Sequence, residues 1–252
     1  MDLNYIIYIL IGAIVGSFLN VIVSRLGTAE GFIFGRSHCP KCKKTIRFFD
    51  LIPVLSYIFL WGRCRDCREN ISCQYPLVEA VCAAFFGLSY YLYGLSWLSV
   101  LSAIFLSFML VIVVYDFQEL SVPESVSWVA LVLTLIMKVA IDYSNFTNII
   151  LGALIGGGII ALLVLISRGK WMGEGDIKVG TTIGIFLTFP IAIIGVFSAF
   201  FSGALAGITL IVLKIKKTKD PVPFTPFLLL GGLISMVYGQ QILDWYLEMV
   251  IF

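Results

Sequence analysis

The sequence predicts an all-α membrane protein of about eight transmembrane helices, with a cytoplasmic zinc-binding loop between the first and second. Three observations carry that prediction. The 252 residues are 60% hydrophobic and only 13% charged, and their mean hydropathy of +1.02 lies far above that of soluble domains. Eight apolar stretches approach the length a helix needs to cross the hydrocarbon core. The basic residues, finally, segregate to alternate connections between those stretches.

The first stretch, "NYIIYILIGAIVGSFLNVIV", has no basic residue before it and no small-residue cleavage pattern after it, so it reads as a retained span. The others cover 76–95, 97–115, 126–142, 147–167, 178–189, 191–213 and 224–239, with the break between the sixth and seventh near Pro190. The apolar segment from Phe48 to Trp61 is too short to span and carries Pro53; it reads as interfacial or packed on the bundle. Glycines recur four apart at Gly12 and Gly16, Gly152 and Gly156, and Gly203 and Gly207, a spacing that lets membrane helices approach closely.

Eight spans divide the lysines and arginines in a definite way. Loop 24–75 holds nine, from Arg25 and Arg36 to Arg68. The fifth-to-sixth connection holds Arg168, Lys170 and Lys178, and the seventh-to-eighth holds Lys214, Lys216, Lys217 and Lys219. Sixteen of the seventeen therefore share one side, and only Lys138 lies toward the other. By the positive-inside rule that side is cytoplasmic and the N-terminus is outside. The net charge of +2 gives no reason to expect a nucleic-acid partner.

Loop 24–75 contains "CPKC" at Cys39 and Cys42 and "CRDC" at Cys64 and Cys67, with twenty-one residues between the pairs. In a reducing compartment two C-x-x-C hairpins are a zinc pattern, and one tetrahedral Zn²⁺ would fold a loop with no large core of its own. A pair of redox motifs is the alternative, and flanking Lys41, Lys43, Arg63 and Arg65 would lower the thiol pKa in either case. Four thiolates already complete a zinc shell, so neighbouring His38 is not needed. Cys73 and Cys82 lie off the spacing and read as structural.

Two carboxylates stand at the ends of apolar runs, Asp116 in "VVYDFQEL" and Asp176 in "WMGEGDIKVG". The topology puts both at one depth on the cytoplasmic side, and an ionisable group at a membrane helix is a functional hypothesis by default. Facing aspartates can share a proton and supply a general base and a general acid together. Gly173 and Gly175 would admit an extended substrate backbone, and Lys178 would favour ionisation of its neighbour. Residues 116–124 hold Asp116, Glu119 and Glu124 with no basic residue on an otherwise basic face, so Glu119 and Glu124, joined by Glu174, are suited to attracting a basic peptide. Glu79 in "YPLVEA" stands near a span start, where it can orient the loop or a substrate amine. An ion-coupled transporter would instead place its carboxylates near the bilayer midplane and show matching halves, and a zinc-bearing scaffold would leave the aspartates incidental.

"YD" followed by "GEGD" resembles the GxGD intramembrane aspartyl proteases, the class that includes presenilin and signal peptide peptidase. The order "GSFLNVIVSRL", "SHCPKC", "IPVLSYIFLWGRCRDC", "YPLVEA", "YDFQELSVPES", "MGEGDIKVG" and "PFTPFLLLGG" is similar, more closely, to the bacterial type 4 prepilin peptidases. The resemblance implies an eight-span inner-membrane enzyme. Its substrates would be prepilins or pseudopilins, whose basic leader it cuts before methylating the new N-terminus with S-adenosylmethionine. It makes Asp116 and Asp176 the catalytic pair and Cys39, Cys42, Cys64 and Cys67 the metal tetrad. Residues 1–23 would then be the first helix, 24–75 the zinc loop and 76–252 a seven-helix protease domain. This chain departs from the family pattern at Glu124, Leu51 and Thr225, where the family carries aspartate, asparagine and glycine. No glycine-rich cofactor loop marks an S-adenosylmethionine pocket.

Overall fold

A first helix that carries glycine every fourth residue needs a neighbour close enough to use it, and α1 (Leu3–Arg25) finds that neighbour in α3 (Gln74–Tyr93). A Cβ at Gly12 would lie 2.7 Å from Phe86 Cβ, and one at Gly16 would lie 2.8 Å from Glu79 Cα. The pairing of early α1 with late α3 makes the two antiparallel, and their contact is dispersion between closely set backbones. Buried Asn20 adds polar glue, its Nδ2 donating to Gly16 O at 3.3 Å and Tyr75 O at 3.1 Å.

The structure, a computed structural model, describes residues 2–26, 37–217 and 220–251. Arg36 and Lys219, two of the basic residues counted above, lie outside the described residues. The chain forms two compact units, residues 1–111 and 112–252. The first contains α1, the cysteine loop with the short α2 (Leu55–Phe59), α3, and most of α4 (Trp97–Glu119). Ser89 Oγ meets Ser102 Oγ at 2.8 Å, joining α3 to α4 where no water is available to either hydroxyl. The segment Phe48–Trp61 does not pack into the bundle: it forms a 3-10 turn (Phe48–Leu51) and α2, and most of its large apolar side chains are exposed.

The second unit begins with the last turns of α4. Leu120, at φ +49, donates its N–H to Asp116 O at 3.0 Å and turns the chain toward α5 (Glu124–Ile141). α6 (Phe146–Ser167), α7 (Glu174–Leu187), α8 (Ile191–Val212) and α9 (Thr225–Ile251) follow. α6 and α7 run antiparallel through a seam of four glycines, Gly152 on Gly184 and Gly156 on Gly180, with each added Cβ colliding with the opposite backbone. α9 meets α8 by a similar close approach, Gly231 against Gly195 O and 2.7 Å from Ala199 N. Gly203 faces Phe224 and Phe227, whereas Gly207 meets nothing within 4 Å, so the packing expected of that glycine is absent.

All eight apolar stretches are helices, and among the described residues seven helices are long and apolar enough to cross a membrane. The exception is α7. Its fourteen residues rise about 21 Å at 1.5 Å each, short of the roughly 30 Å core. More than half of them are buried within the unit, so α7 is shielded from lipid by its neighbours. Helix ends also differ from the sequence reading: α4 continues past Asp116 to Glu119, α7 starts before Asp176, and α9 extends well beyond residue 239. Lys138 lies near the far end, its Nζ 5.9 Å from the Phe186 ring beside the end of α7.

Candidate active site and metal centre

The direction of each helix in the second unit decides which residues meet. The end of α4 and the starts of α5, α7 and α9 converge, because Thr225 N donates to Asp116 Oδ2 at 3.3 Å and Lys178 Nζ donates to Glu124 Oε1 at 2.7 Å. Asp116 and Asp176 are both buried, at 4% and 7% exposure, and they interact electrostatically with each other. Thr225, fully buried, stands beside Asp116, to which its N–H donates. Its hydroxyl interacts with both carboxylates without meeting either at full hydrogen-bond geometry. The sequence reading treats Thr225 only as a departure from a family pattern; nothing in its spacing places it against the dyad.

Local chemistry explains the shape of "GEGD". Gly173 is the N-cap of α7 and its N–H donates to Asp176 Oδ2 at 3.1 Å, the return half of a capping box. Asp176 therefore fixes one oxygen by closing its own helix. Around Gly173 a Cβ would meet nothing nearer than Asp176 Oδ2 at 3.8 Å and Gly175 N at 4.0 Å, so that position is open. Gly175 differs: a Cβ there would stand 2.5 Å from Val122 Cβ. Its missing side chain makes room for the turn that follows α4, and this corrects the expectation that it admits substrate.

Lys178 is a second correction. Its ammonium pairs with Glu124 and lies 5.0 Å from the Trp128 ring centroid, so its charge is committed to α5 and not to its neighbour in sequence. The same pair occupies Glu124, so of the three acidic residues expected to attract a peptide, Glu119 and Glu174 are exposed without an ion pair among the described residues. Glu79 is buried in α3 and accepts a bond from Val54 N at 2.7 Å, which makes it an anchor for the loop.

The cysteine loop is built from one motif used twice. In the first hairpin Cys39 N donates to Lys44 O at 2.9 Å and Lys43 N to Cys39 O at 2.9 Å; in the second Cys64 N donates to Glu69 O at 2.8 Å and Arg68 N to Cys64 O at 3.0 Å. Lys43 and Arg68, each just after the second cysteine, both take φ +60. Isolated bridges His38–Thr45 and Arg63–Asn70 close the two hairpins. Ion pairs cross between them, Lys44 to Asp66 at 2.9 Å and Lys41 to Glu69. Arg65 makes a forked contact with Asp50, holding that carboxyl below its ordinary range.

All four Sγ atoms lie within 4.8 Å of one another, and Cys39 and Cys67 are 3.8 Å apart. Four sulfurs bonded to one zinc at about 2.3 Å would stand about 3.8 Å apart in a tetrahedron, so the cluster fits a metal of that kind. The backbone N–H of Cys42 above all, and then that of Lys41, draws the Cys39 thiol down to about 7 against the opposing effect of its burial. A thiol so placed is readily converted to the ligating thiolate.

Comparison with known proteins matches residues 10–93 to the Bacterial Peptidase A24 N-terminal domain and residues 103–208 to the Type IV leader peptidase family. A prepilin leader peptidase/N-methyltransferase of Bacillus subtilis (strain 168) is 28% identical over 245 residues, covering 97% of this chain and 98% of that protein. One of the same name from Pectobacterium carotovorum subsp. carotovorum is 30% identical over 258 residues, 90% of each chain. The chain belongs to the type IV leader peptidase family. The four cysteines fall within the first matched region and both aspartates within the second, whereas Thr225 lies beyond it. No solved structure matches this family member, and nothing in the comparisons supports an ion-coupled transporter.

Proposed function

We propose that this protein is an intramembrane aspartyl endopeptidase that removes the basic leader from prepilins or pseudopilins and then methylates the new N-terminus. The convergence of two buried carboxylates from different helices on Thr225 is the observation that carries the proteolytic reading. An aspartate at the third position of α7 is explained by capping alone. A second buried aspartate facing the same hydroxyl is not.

In this mechanism one member of the pair is ionised and the other protonated. The ionised carboxylate takes a proton from water as the water oxygen attacks the scissile carbonyl, and the acid gives its proton to the carbonyl oxygen. The tetrahedral intermediate collapses with a proton passing to the departing amine. The open backbone at Gly173 lets an extended peptide reach the pair, and Glu119 and Glu174 attract the positive leader.

Cys39, Cys42, Cys64 and Cys67 would hold Zn²⁺ in a structural role, tying the two cysteine hairpins to each other. Methyl transfer rests on the relatives' shared name. The groove lined by Trp128, Val129, Val132, Leu133 and Ile136 is apolar throughout and does not fit the ribose and charged groups of S-adenosylmethionine. The segregation of basic residues supports a dyad on the cytoplasmic face of the bacterial inner membrane, with the start of α1 outside. Incubation with a prepilin and S-adenosylmethionine, followed by mass measurement of the mature N-terminus, tests the whole reading. Cleavage with one added methyl group is the expected product; an intact leader overturns it.

A further inference from the structure

The first unit exposes a dense apolar segment outside its membrane-spanning helices. Phe48, Phe49, Phe59 and Trp61 are 78%, 76%, 78% and 88% exposed, and Leu55 and Ile58 are open as well. An isolated hydrophobic residue on a surface needs no explanation, but a contiguous cluster of this kind marks an interaction site. Two contacts fix its level. Val54 N donates to Glu79 Oε2 at 2.7 Å and Tyr57 OH meets Cys73 Sγ at 3.2 Å. Glu79 is five residues past the start of α3, which corresponds to about 7.5 Å along a helix. α2 therefore lies beside the first turns of a helix long and apolar enough to cross a membrane, the end of such a helix being where apolar faces can enter the headgroup boundary.

Charge supplies the second half of the argument. Lys43, Arg47, Arg63 and Arg68 are exposed and carry no ion pair among the described residues. They flank the apolar segment on both sides in sequence, and the Arg65–Asp50 fork ties the second hairpin to the 3-10 turn. Aromatic residues at the interface with basic residues above them are the arrangement that anionic leaflets attract, at roughly 1 kcal/mol per basic residue near the surface.

We propose that Phe48–Trp61 is a lipid anchor. It inserts into the anionic leaflet beside α3 and holds the metal-binding hairpins flat on the membrane surface. Continuity with α3 and the surrounding positive charge favour a bilayer over a protein partner. This inference does not rest on the catalytic reading.

The test uses the full-length, metal-loaded protein and its Trp61→Phe variant in nanodiscs, with the difference between their emission spectra reporting on Trp61. Phosphatidylcholine brominated near the headgroup is expected to quench that difference, aqueous iodide to leave it unquenched, and added phosphatidylglycerol to strengthen the lipid quenching. Quenching by iodide without quenching by bromolipid would show the segment in water and overturn the proposal. Shielding from both would show a protein covering, from a second copy or a substrate, and overturn it equally. Lipid quenching that ignores phosphatidylglycerol would remove the anionic requirement.

Discussion

Replacing Gly180 by alanine tests whether the glycine seam between α6 and α7 sets the position of Asp176. The new Cβ would lie 2.5 Å from Gly156 O and would also strike Ile160 Cδ1, whereas ordinary contact begins near 3.4 Å. Relief through the backbone therefore requires the helices to part by about 0.9 Å, since a carbonyl inside a helix cannot swing aside as a side-chain tip can. Overpacking of this kind costs about 1–3 kcal/mol. Asp176 is one turn before Gly180 on the same helix, and a displacement of about 1 Å at a catalytic group lowers turnover by roughly 100-fold. Gly158→Ala is the matched control. It lies on α6 with nothing within 4 Å of its Cβ and is expected to leave turnover unchanged and to raise stability by up to about 1 kcal/mol through helix propensity. Prepilin cleavage at saturating substrate and thermal unfolding in detergent read the two outcomes. A Gly180→Ala enzyme with wild-type turnover and melting temperature would refute the reasoning, as would equal damage from Gly158→Ala.

Three further outcomes are expected. Thr225→Val, which keeps the shape and removes the hydroxyl, lowers turnover roughly 2- to 12-fold, the range for about 0.5–1.5 kcal/mol in a polar contact that falls short of a full charge-assisted hydrogen bond. Thr225→Ser restores the activity and Thr225→Gly leaves room for water; wild-type turnover in the valine variant would rule the hydroxyl out. Purified protein carries one zinc per chain by elemental analysis, and Cys39→Ser or Cys64→Ser loses it while exposing the loop to trypsin at its basic residues; protein prepared without chelator and lacking zinc would contradict this. Glu119→Lys combined with Glu174→Lys raises KM for prepilin and flattens its dependence on salt, and an unchanged salt slope would end the role proposed for those two side chains.

Much of the fold was legible because membrane crossing imposes a length and a composition on each helix. Pro190 marks the α7–α8 break as expected, and the glycines at 12, 16, 152 and 156 occupy contacts that only glycine permits. The identity of the partners was less accessible. That Gly152 and Gly156 face Gly184 and Gly180, or that Gly175 faces Val122, depends on which helices are neighbours, and no local pattern contains that information. Lys178 shows the same limit. Two residues from Asp176 in sequence, it points along a different face of α7 and neutralises Glu124, because residues two apart on a helix do not share a side. Thr225 lies 109 residues from Asp116 and joins the site only because α9 starts beside the end of α4. In the cysteine loop the spacing pointed to the four cysteines that come together, but the φ +60 residues that make the two hairpins equivalent are a lysine and an arginine, where a glycine would have signalled the turn.

The central claim is that Asp116 and Asp176 act together on a peptide bond, and single asparagine substitutions measure it most directly. Asn keeps the size of each side chain and removes its ability to hold or yield the proton. Leader cleavage by Asp116→Asn and by Asp176→Asn should each fall by at least roughly 1,000-fold, as expected when a general acid–base pair loses a member, with helical content and zinc unchanged. Cleavage by either variant within tenfold of the wild-type rate would contradict the account.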